Sequence, residues 1–320
     1  MNSRQHQSFS LFSLITLLFA FFASIATAQA TPQSPQIATT SSSLHSQAEP
    51  GDPAVQYQLA RSLLAHNPSP GDVQSALKCL YASAAQNYSD AAFYLGYLYE
   101  HGQFVPRDYF LAFQNYQSAA LQHHSSAENN LASLYQHGQG VPKNLGKAFD
   151  WYLLSAQQGN PVGQLNLASL YYLGSGTPRN YKETVRWMRA SADSGNADAQ
   201  NRLAYFYFYG IAVQQDYTEA ARLVRLAVQQ GLPAAQTNLA YLFEQGKGVP
   251  LDYVAAYSYY SRALASGDST GADQRKQLAR IMTAKQLDEA SAQTTTYSPQ
   301  GPLQPSFPSA NSFSLINQQH

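Results

Sequence analysis

The feature that most constrains this chain is a gapless period of 36 residues through its middle. Gly51, Asn87, His123, Gly159, Gly195 and Gly231 open six successive units that end at Ser266, and Gly267 holds the seventh position in phase. A repeat of that size is one supersecondary unit that cannot bury its apolar face alone. Stacked neighbours supply the missing core, so the period predicts an elongated array rather than a globular domain. Periods in the mid-thirties are those of paired-helix solenoids. The expected fold is all-α: a right-handed α-solenoid of paired antiparallel helices, without sheet.

Each unit carries the same internal pattern. A first helix is marked by a Leu-small step at Leu59-Ala60, Leu95-Gly96, Leu131-Ala132, Leu167-Ala168, Leu203-Ala204 and Leu239-Ala240. Four residues after each Leu stands Leu63, Tyr99, Tyr135, Tyr171, Tyr207 or Phe243. The i, i+4 spacing defines one apolar face, and the small residue lets a second helix come close. A glycine follows at Gly102, Gly138, Gly174, Gly210 and Gly246, suited to the left-handed conformation that ends a helix. Asp72, Asp108, Asn144, Asn180, Asp216 and Asp252 then share one position and are expected to cap the second helix. Inside that helix Ala76, Ala112, Ala148, Ala220 and Ala256 face the first. The opening unit departs from the pattern, with Asn67-Pro68-Ser69-Pro70 where the glycine turn should be.

The unit from Leu131 to Ala156, with Gly138-Gln139-Gly140-Val141, Lys147-Ala148, Trp151 and Ser155-Ala156, resembles the Sel-one-like repeat family, a relative of the tetratricopeptide repeats. The likeness runs from residue 51 to about 290. It implies an interaction scaffold whose first helices line a concave face, with capping helices over residues 267–290. Asp273 to Met282 reads as one of these. Thr283 with Gln286 forms the capping box of the last, which is expected to end near Ala290.

The ends of the chain read differently. Phe9 to Ala26 carries no charge and contains the apolar run Leu11 to Phe22; Ala26-Thr27-Ala28 and Ala28-Gln29-Ala30 follow as small-x-small sites. Residues 1–30 are therefore expected to be a secretory signal peptide cut near Ala28 or Ala30. The mature chain would be periplasmic or secreted, with no stable membrane insertion. The alternative is an uncleaved N-terminal membrane anchor, since the run is close to spanning length. No Cys follows the apolar run, which excludes a lipoprotein anchor. Residues 31–50 are expected to be a flexible linker and 291–320 a disordered tail, on their Ser, Thr, Gln and Pro content.

Composition excludes several function classes. Nineteen basic residues balance nineteen acidic ones, whereas a nucleic-acid binder normally shows a basic excess. Cys79 is the single cysteine, so neither an intrachain disulfide nor a cysteine metal cluster can form; its apolar helical context predicts a buried, inert thiol. His101 and His137 share a repeat position, which sets them roughly 10 Å apart, too far for one metal ion. No Gly-x-Ser-x-Gly elbow or phosphate loop is present, the Gly138-Gln139-Gly140 type recurs as a helix-ending turn, and Asp288-Glu289 reads as a solvated helix end. No enzyme, cofactor or metal site is expected.

What remains is binding. Three columns of the first helix fall on one stripe beside the buried Leu: Tyr94, Asn130, Asn166, Arg202 and Asn238; then Tyr97, Ser133, Ser169, Tyr205 and Tyr241; then His101, His137, Leu173, Tyr209 and Gln245. Asn amides both donate to and accept from an extended backbone, Arg202 can pair a carboxylate, and tyrosines supply contact area. The expected partner is a protein or peptide. The opposing reading is that the Asn column serves contacts between helices. Two alternatives follow from relatives of the family. One is a lumenal adaptor of endoplasmic-reticulum type, although Asn317-Gln318-Gln319-His320 is no retention signal. The other is a cell-wall-acting or β-lactam-binding enzyme, although such relatives carry a disulfide in each repeat.

Overall fold

The structure, a computed structural model, describes residues 51–295. The expected signal peptide, the linker and the tail beyond Thr295 lie outside the described residues. Fourteen helices and no strand make up the described part. In order they are α1 (Pro53–Leu63), α2 (Pro70–Ala85), α3 (Ser89–His101), α4 (Tyr109–Ala120), α5 (Ser125–His137), α6 (Leu145–Gln157), α7 (Pro161–Leu173), α8 (Tyr181–Asp193), α9 (Ala197–Tyr209), α10 (Tyr217–Gln229), α11 (Pro233–Gln245), α12 (Tyr253–Ala265), α13 (Ala272–Ile281) and α14 (Ala284–Thr295). They fall into two compact units, divided between Asn180 and Tyr181.

In the first unit α1 to α7 pack each against the next. Local chemistry sets the boundaries. Gly102, Gly138 and Gly174 sit at φ of 65° to 72° and end α3, α5 and α7, a conformation that costs a residue with a Cβ about 1 kcal/mol or more. The chain then turns back so that the N–H of Asp108, Asn144 and Asn180 donates to the carbonyl of Tyr99, Tyr135 and Tyr171. Asp108 and Asn144 use their side chains to cap α4 and α6. Where the glycine turn is missing, Ser69 caps α2 and Asp72 reaches back to the Ser69 N–H. Asp72 is thus the third residue of a capping box and not the cap, because Pro70 can occupy the first helical turn without an N–H to satisfy. The interface between partner helices is tight: a Cβ on Gly96 would lie 2.6 Å from the Tyr116 ring. Cys79 is partly buried against the α1–α2 core rather than wholly inside it.

The second unit repeats this construction in α9 to α12. Asp216 and Asp252 cap α10 and α12, and Gly210 and Gly246 end α9 and α11. Its last two helices close one end. Leu278, Met282 and Ala290 bury against Ala240, Ala256 and Tyr260. The capping box at Thr283 is formed, with Gln286 Oε1 2.9 Å from the Thr283 N–H. The last helix runs past Ala290 to Thr295, held by Thr294 Oγ1 donating to Ser258 Oγ at 3.2 Å and by Arg262 donating to the Gln293 carbonyl.

Candidate functional site: the first-helix stripe

The three predicted columns separate by burial. Asn130, Asn166, Ser169 and Arg202 are buried, at 2% to 5% exposure. Tyr94, Tyr97, Ser133, His137, Tyr205, Tyr209, Asn238 and Tyr241 are half-buried, and His101 and Gln245 are exposed. This gradient follows from helix geometry, since the first column lies nearest the neighbouring helix and the third nearest the turn.

In the first unit, α3 presents an aromatic ladder. The Tyr94 and Tyr97 rings lie 6.2 Å apart and nearly parallel, and the Tyr97 ring stacks on the His101 imidazole at 4.2 Å. His101 Nδ1–H donates to the Tyr97 carbonyl at 2.9 Å, and His137 repeats that bond to Ser133 at 2.8 Å. The repeated bond holds each ring along its own helix. Burial raises the Tyr94 and Tyr97 hydroxyls above the ordinary range, so both remain neutral donors at physiological pH.

The buried amides join helices. Asn166 Nδ2 donates to Asn129 Oδ1 at 2.9 Å, and Asn129 Nδ2 donates to Asn130 Oδ1 at 3.0 Å. Asn129 is the hub of this chain and was not among the sequence candidates. Its signal was available, because Asn201 holds the same repeat phase and receives a 2.8 Å bond from Asn238 Nδ2.

In the second unit, Arg202 is 3% exposed. Burial pulls its guanidinium below the ordinary range, and Asp198, one turn earlier, pushes it back. The Asp198 carboxyl is raised by burial, against the opposing pull of Arg202. Asp198 is thus a carboxylate on the same helix whose charge acts on Arg202. Beyond it the stripe opens into a shallow, solvent-connected recess between α9, α10 and α11. Tyr205, Phe208, Tyr209 and Tyr241 wall it, with Asn201 and Asn238 at one side, and none of its lining residues is charged. The Tyr205 and Tyr209 rings lie 4.5 Å apart, and Phe208 meets Tyr241 at 5.9 Å. Phe208 was missed by sequence reading because its position holds Glu100, Gln136 and Glu244 in other repeats. Such a wall offers apolar contact, hydroxyl donors and amide groups.

Among the described residues, no group of three or more His, Cys, Asp or Glu side chains could hold a metal ion. Nor is any described helix long and apolar enough to cross a membrane.

Comparison with known proteins agrees with this architecture. The chain is similar in structure to c5321, a protective antigen of uropathogenic Escherichia coli strains displaying an SLR fold, with a TM-score of 0.71 and 27% identity over 80% of this chain. This chain spans 56% of that protein's length. A Sel1 repeat protein from Oxalobacter formigenes is similar over 69% of this chain and 87% of its own, with a TM-score of 0.60 and 29% identity. A search of curated proteins by sequence returned no match. The Sel1 repeat pattern matches six consecutive segments, 53–88, 89–124, 125–160, 161–196, 197–232 and 233–268, each two residues after the register read from Gly51. Six matched repeats, the glycine-ended first helices and the capped second helices place the chain in the Sel1 repeat family.

Proposed function

We propose that this protein is an exported scaffold that captures a peptide or an extended protein segment along the first-helix stripe. Sel1 repeat arrays are generally protein-interaction scaffolds without enzymatic activity. The observation that carries the finer reading is the uncharged recess walled by Tyr205, Phe208, Tyr209 and Tyr241. Tyrosine supplies large contact area at low entropic cost, and amides beside it pair with backbone groups of an extended chain. The contacting residues of this reading are the accessible stripe members of each unit taken by itself: Tyr97, His101, Ser133 and His137 in the first, and Tyr205, Tyr209, Asn238, Tyr241 and Gln245 in the second. The buried Asn130, Asn166, Ser169 and Arg202 position the helices that present them. Export rests on the apolar run Leu11 to Phe22 followed by the small-x-small sites.

The test is a random peptide library screened against the full chain and against a Tyr205→Ala, Tyr241→Ala variant. Peptides whose affinity drops at least tenfold in a variant with unchanged circular dichroism support the reading. Peptides bound equally well by both proteins would move the site elsewhere. N-terminal sequencing of the mature protein should begin after Ala28 or Ala30, and a chain retaining Met1 would remove the export half of the proposal.

A further inference from the structure

The uncharged recess has a candidate occupant in the chain itself. After Thr295 the sequence reads Thr296-Tyr297-Ser298-Pro299-Gln300-Gly301-Pro302-Leu303-Gln304-Pro305-Ser306-Phe307-Pro308. The four prolines recur at intervals of three. A polyproline II helix has three residues per turn, so this spacing puts all four prolines on one face. Aromatic-lined grooves are the recognised receptors of such helices, because the conformation is preformed and little entropy is lost on docking.

The dimensions agree. Prolines three residues apart recur every 9 Å or so along a polyproline II helix. Packed helices stand about 8–10 Å apart. A segment laid across α9 and α11 would therefore meet one proline face per repeat, first against Tyr205 and Tyr209 and then against Tyr241. The charges agree too, since neither the recess lining nor residues 296–308 carry a formal charge. So does the reach. The tail leaves the fold at α14, where Thr294 bonds Ser258 on α12, and α12 packs on α11. Crossing from there to the recess takes roughly two interaxial distances, about 20 Å. The seven residues from Thr296 to Pro302 span about 22 Å in polyproline II form.

We infer that residues 302–308 dock in cis, as a polyproline II segment, into the Tyr205, Tyr209 and Tyr241 recess, so that an incoming peptide must displace the protein's own tail. This rests on the peptide-binding reading of that recess. The experiment uses the full chain, a full chain carrying Pro302→Ala and Pro305→Ala, and a labelled synthetic peptide of residues 296–310 followed by fluorescence anisotropy. A short tether holds its segment at an effective concentration near 1 mM, so an intrinsic Kd of about 100 µM predicts roughly tenfold weaker peptide binding to the wild-type chain than to the proline variant. Adding Tyr241→Ala to the proline variant should abolish binding, with circular dichroism unchanged. Equal affinity for wild type and proline variant overturns the inference, as does binding insensitive to Tyr241→Ala. A wild-type chain that sediments as a dimer and becomes monomeric on proline substitution also overturns it, because the occupant is then a second copy. If library peptides bind through Tyr205 and Tyr241 while the tail peptide does not, the scaffold reading stands and only the tail reading falls.

Discussion

The repeats suggest a test of how this fold tolerates buried polar groups. Three second helices bury a tyrosine whose hydroxyl reaches the first helix of the same repeat. Tyr116 donates to Glu100 Oε2 at 2.6 Å, Tyr152 to Gln136 Oε1 at 2.9 Å and Tyr260 to Glu244 Oε2 at 2.7 Å. The equivalent pairs in the other repeats are Leu80 with Leu64, Met188 with Tyr172 and Val224 with Phe208. Wherever the tyrosine is absent, so is the carboxylate or amide that accepts its proton. Removing one member should therefore cost more than removing both.

Tyr116→Phe leaves a buried carboxylate without its donor. A hydrogen bond to a charged group is worth about 1.5–3 kcal/mol, and one between neutral groups about 1 kcal/mol. Tyr116→Phe and Tyr260→Phe should each lose about 2–3 kcal/mol and Tyr152→Phe about 1 kcal/mol. The double variant Tyr116→Phe, Glu100→Leu makes the pair apolar, as the Leu80–Leu64 pair is, and should lie within about 1 kcal/mol of wild type, with a coupling of 1–2 kcal/mol or so. Glu100→Gln copies the Tyr152–Gln136 arrangement. Burial raises the Glu100 carboxyl above its ordinary range, against the bond from Tyr116. A carboxyl raised in the fold gives stability that is complete below its unfolded value and is lost as pH rises through the folded one. Glu100→Gln should thus be more stable than wild type at neutral pH, with the advantage vanishing in mild acid. The assay is urea unfolding followed by circular dichroism and by Trp151 and Trp187 fluorescence, with hydrogen exchange on α3 and α4 as the local readout. Equal losses for Tyr116→Phe and Tyr152→Phe, or a double variant as unstable as the sum of its parts, would refute the reasoning.

Other perturbations have equally definite expectations. Leu167→Ala and Leu203→Ala, at residues 0% and 2% exposed, should each cost about 2–5 kcal/mol in chemical denaturation, and no loss at either would show that the facing assignment is wrong. Gly248→Ala places a Cβ 1.9 Å from the Tyr217 carbonyl oxygen at a φ of 69°, so it should lower the melting temperature; a neutral result would contradict the close approach. Ala212, in the same repeat position at a φ of 57°, should instead tolerate or gain from Ala212→Gly by up to about 1 kcal/mol, read from the same melting curves. The Asp90 carboxyl is held below its usual range chiefly by the hydrogen bond from His124. A depressed carboxyl gives stability that is present above its unfolded value and is lost as pH falls through the folded one, so Asp90→Asn should flatten the acid limb of an unfolding profile. An acid limb identical to wild type would dismiss that pair as a contributor.

The helix boundaries were legible in the sequence because they are local. Gly138 ends α5 and Asn144 begins α6 through backbone conformation and one side-chain bond each, both within a few residues. Asp72 was misassigned for the same reason: proline at the start of α2 moves the cap to Ser69, and proximity alone cannot show which of two oxygens takes which N–H. The stripe was legible as a direction but not as a depth. Spacing of three and four places Tyr94, Tyr97 and His101 on one side of α3, yet it carries no information about the next repeat. Arg202 reads as a surface cation until α9 is packed and Asp198 stands beside it. Asn129 and Phe208 were missed because their roles come from contacts 37 and 33 residues away, to Asn166 and Tyr241.

A repeat protein also supplies its own comparison series, and this one separates packing from recognition. At the packed position before each Gly-ended turn, the residues Leu98, Leu134, Leu170, Phe206 and Leu242 are all apolar and all nearly inaccessible. One residue earlier on each helix, the stripe holds Tyr97, Ser133, Ser169, Tyr205 and Tyr241. Adjacent positions on one helix differ by about 100° in direction, so the first is fixed by the core and the second is released from it. At the tyrosine–carboxylate position identity changes in pairs, as burial of a polar group requires. In the stripe it changes from tyrosine to serine and back while the apolar residue beside it is retained. Tyr205 and Tyr241 stand at positions that vary without a compensating change elsewhere, and they meet Phe208, from the paired position, around the uncharged recess between α9 and α11. Packing leaves that choice of residue open, and this freedom is the premise on which the proposed peptide site rests.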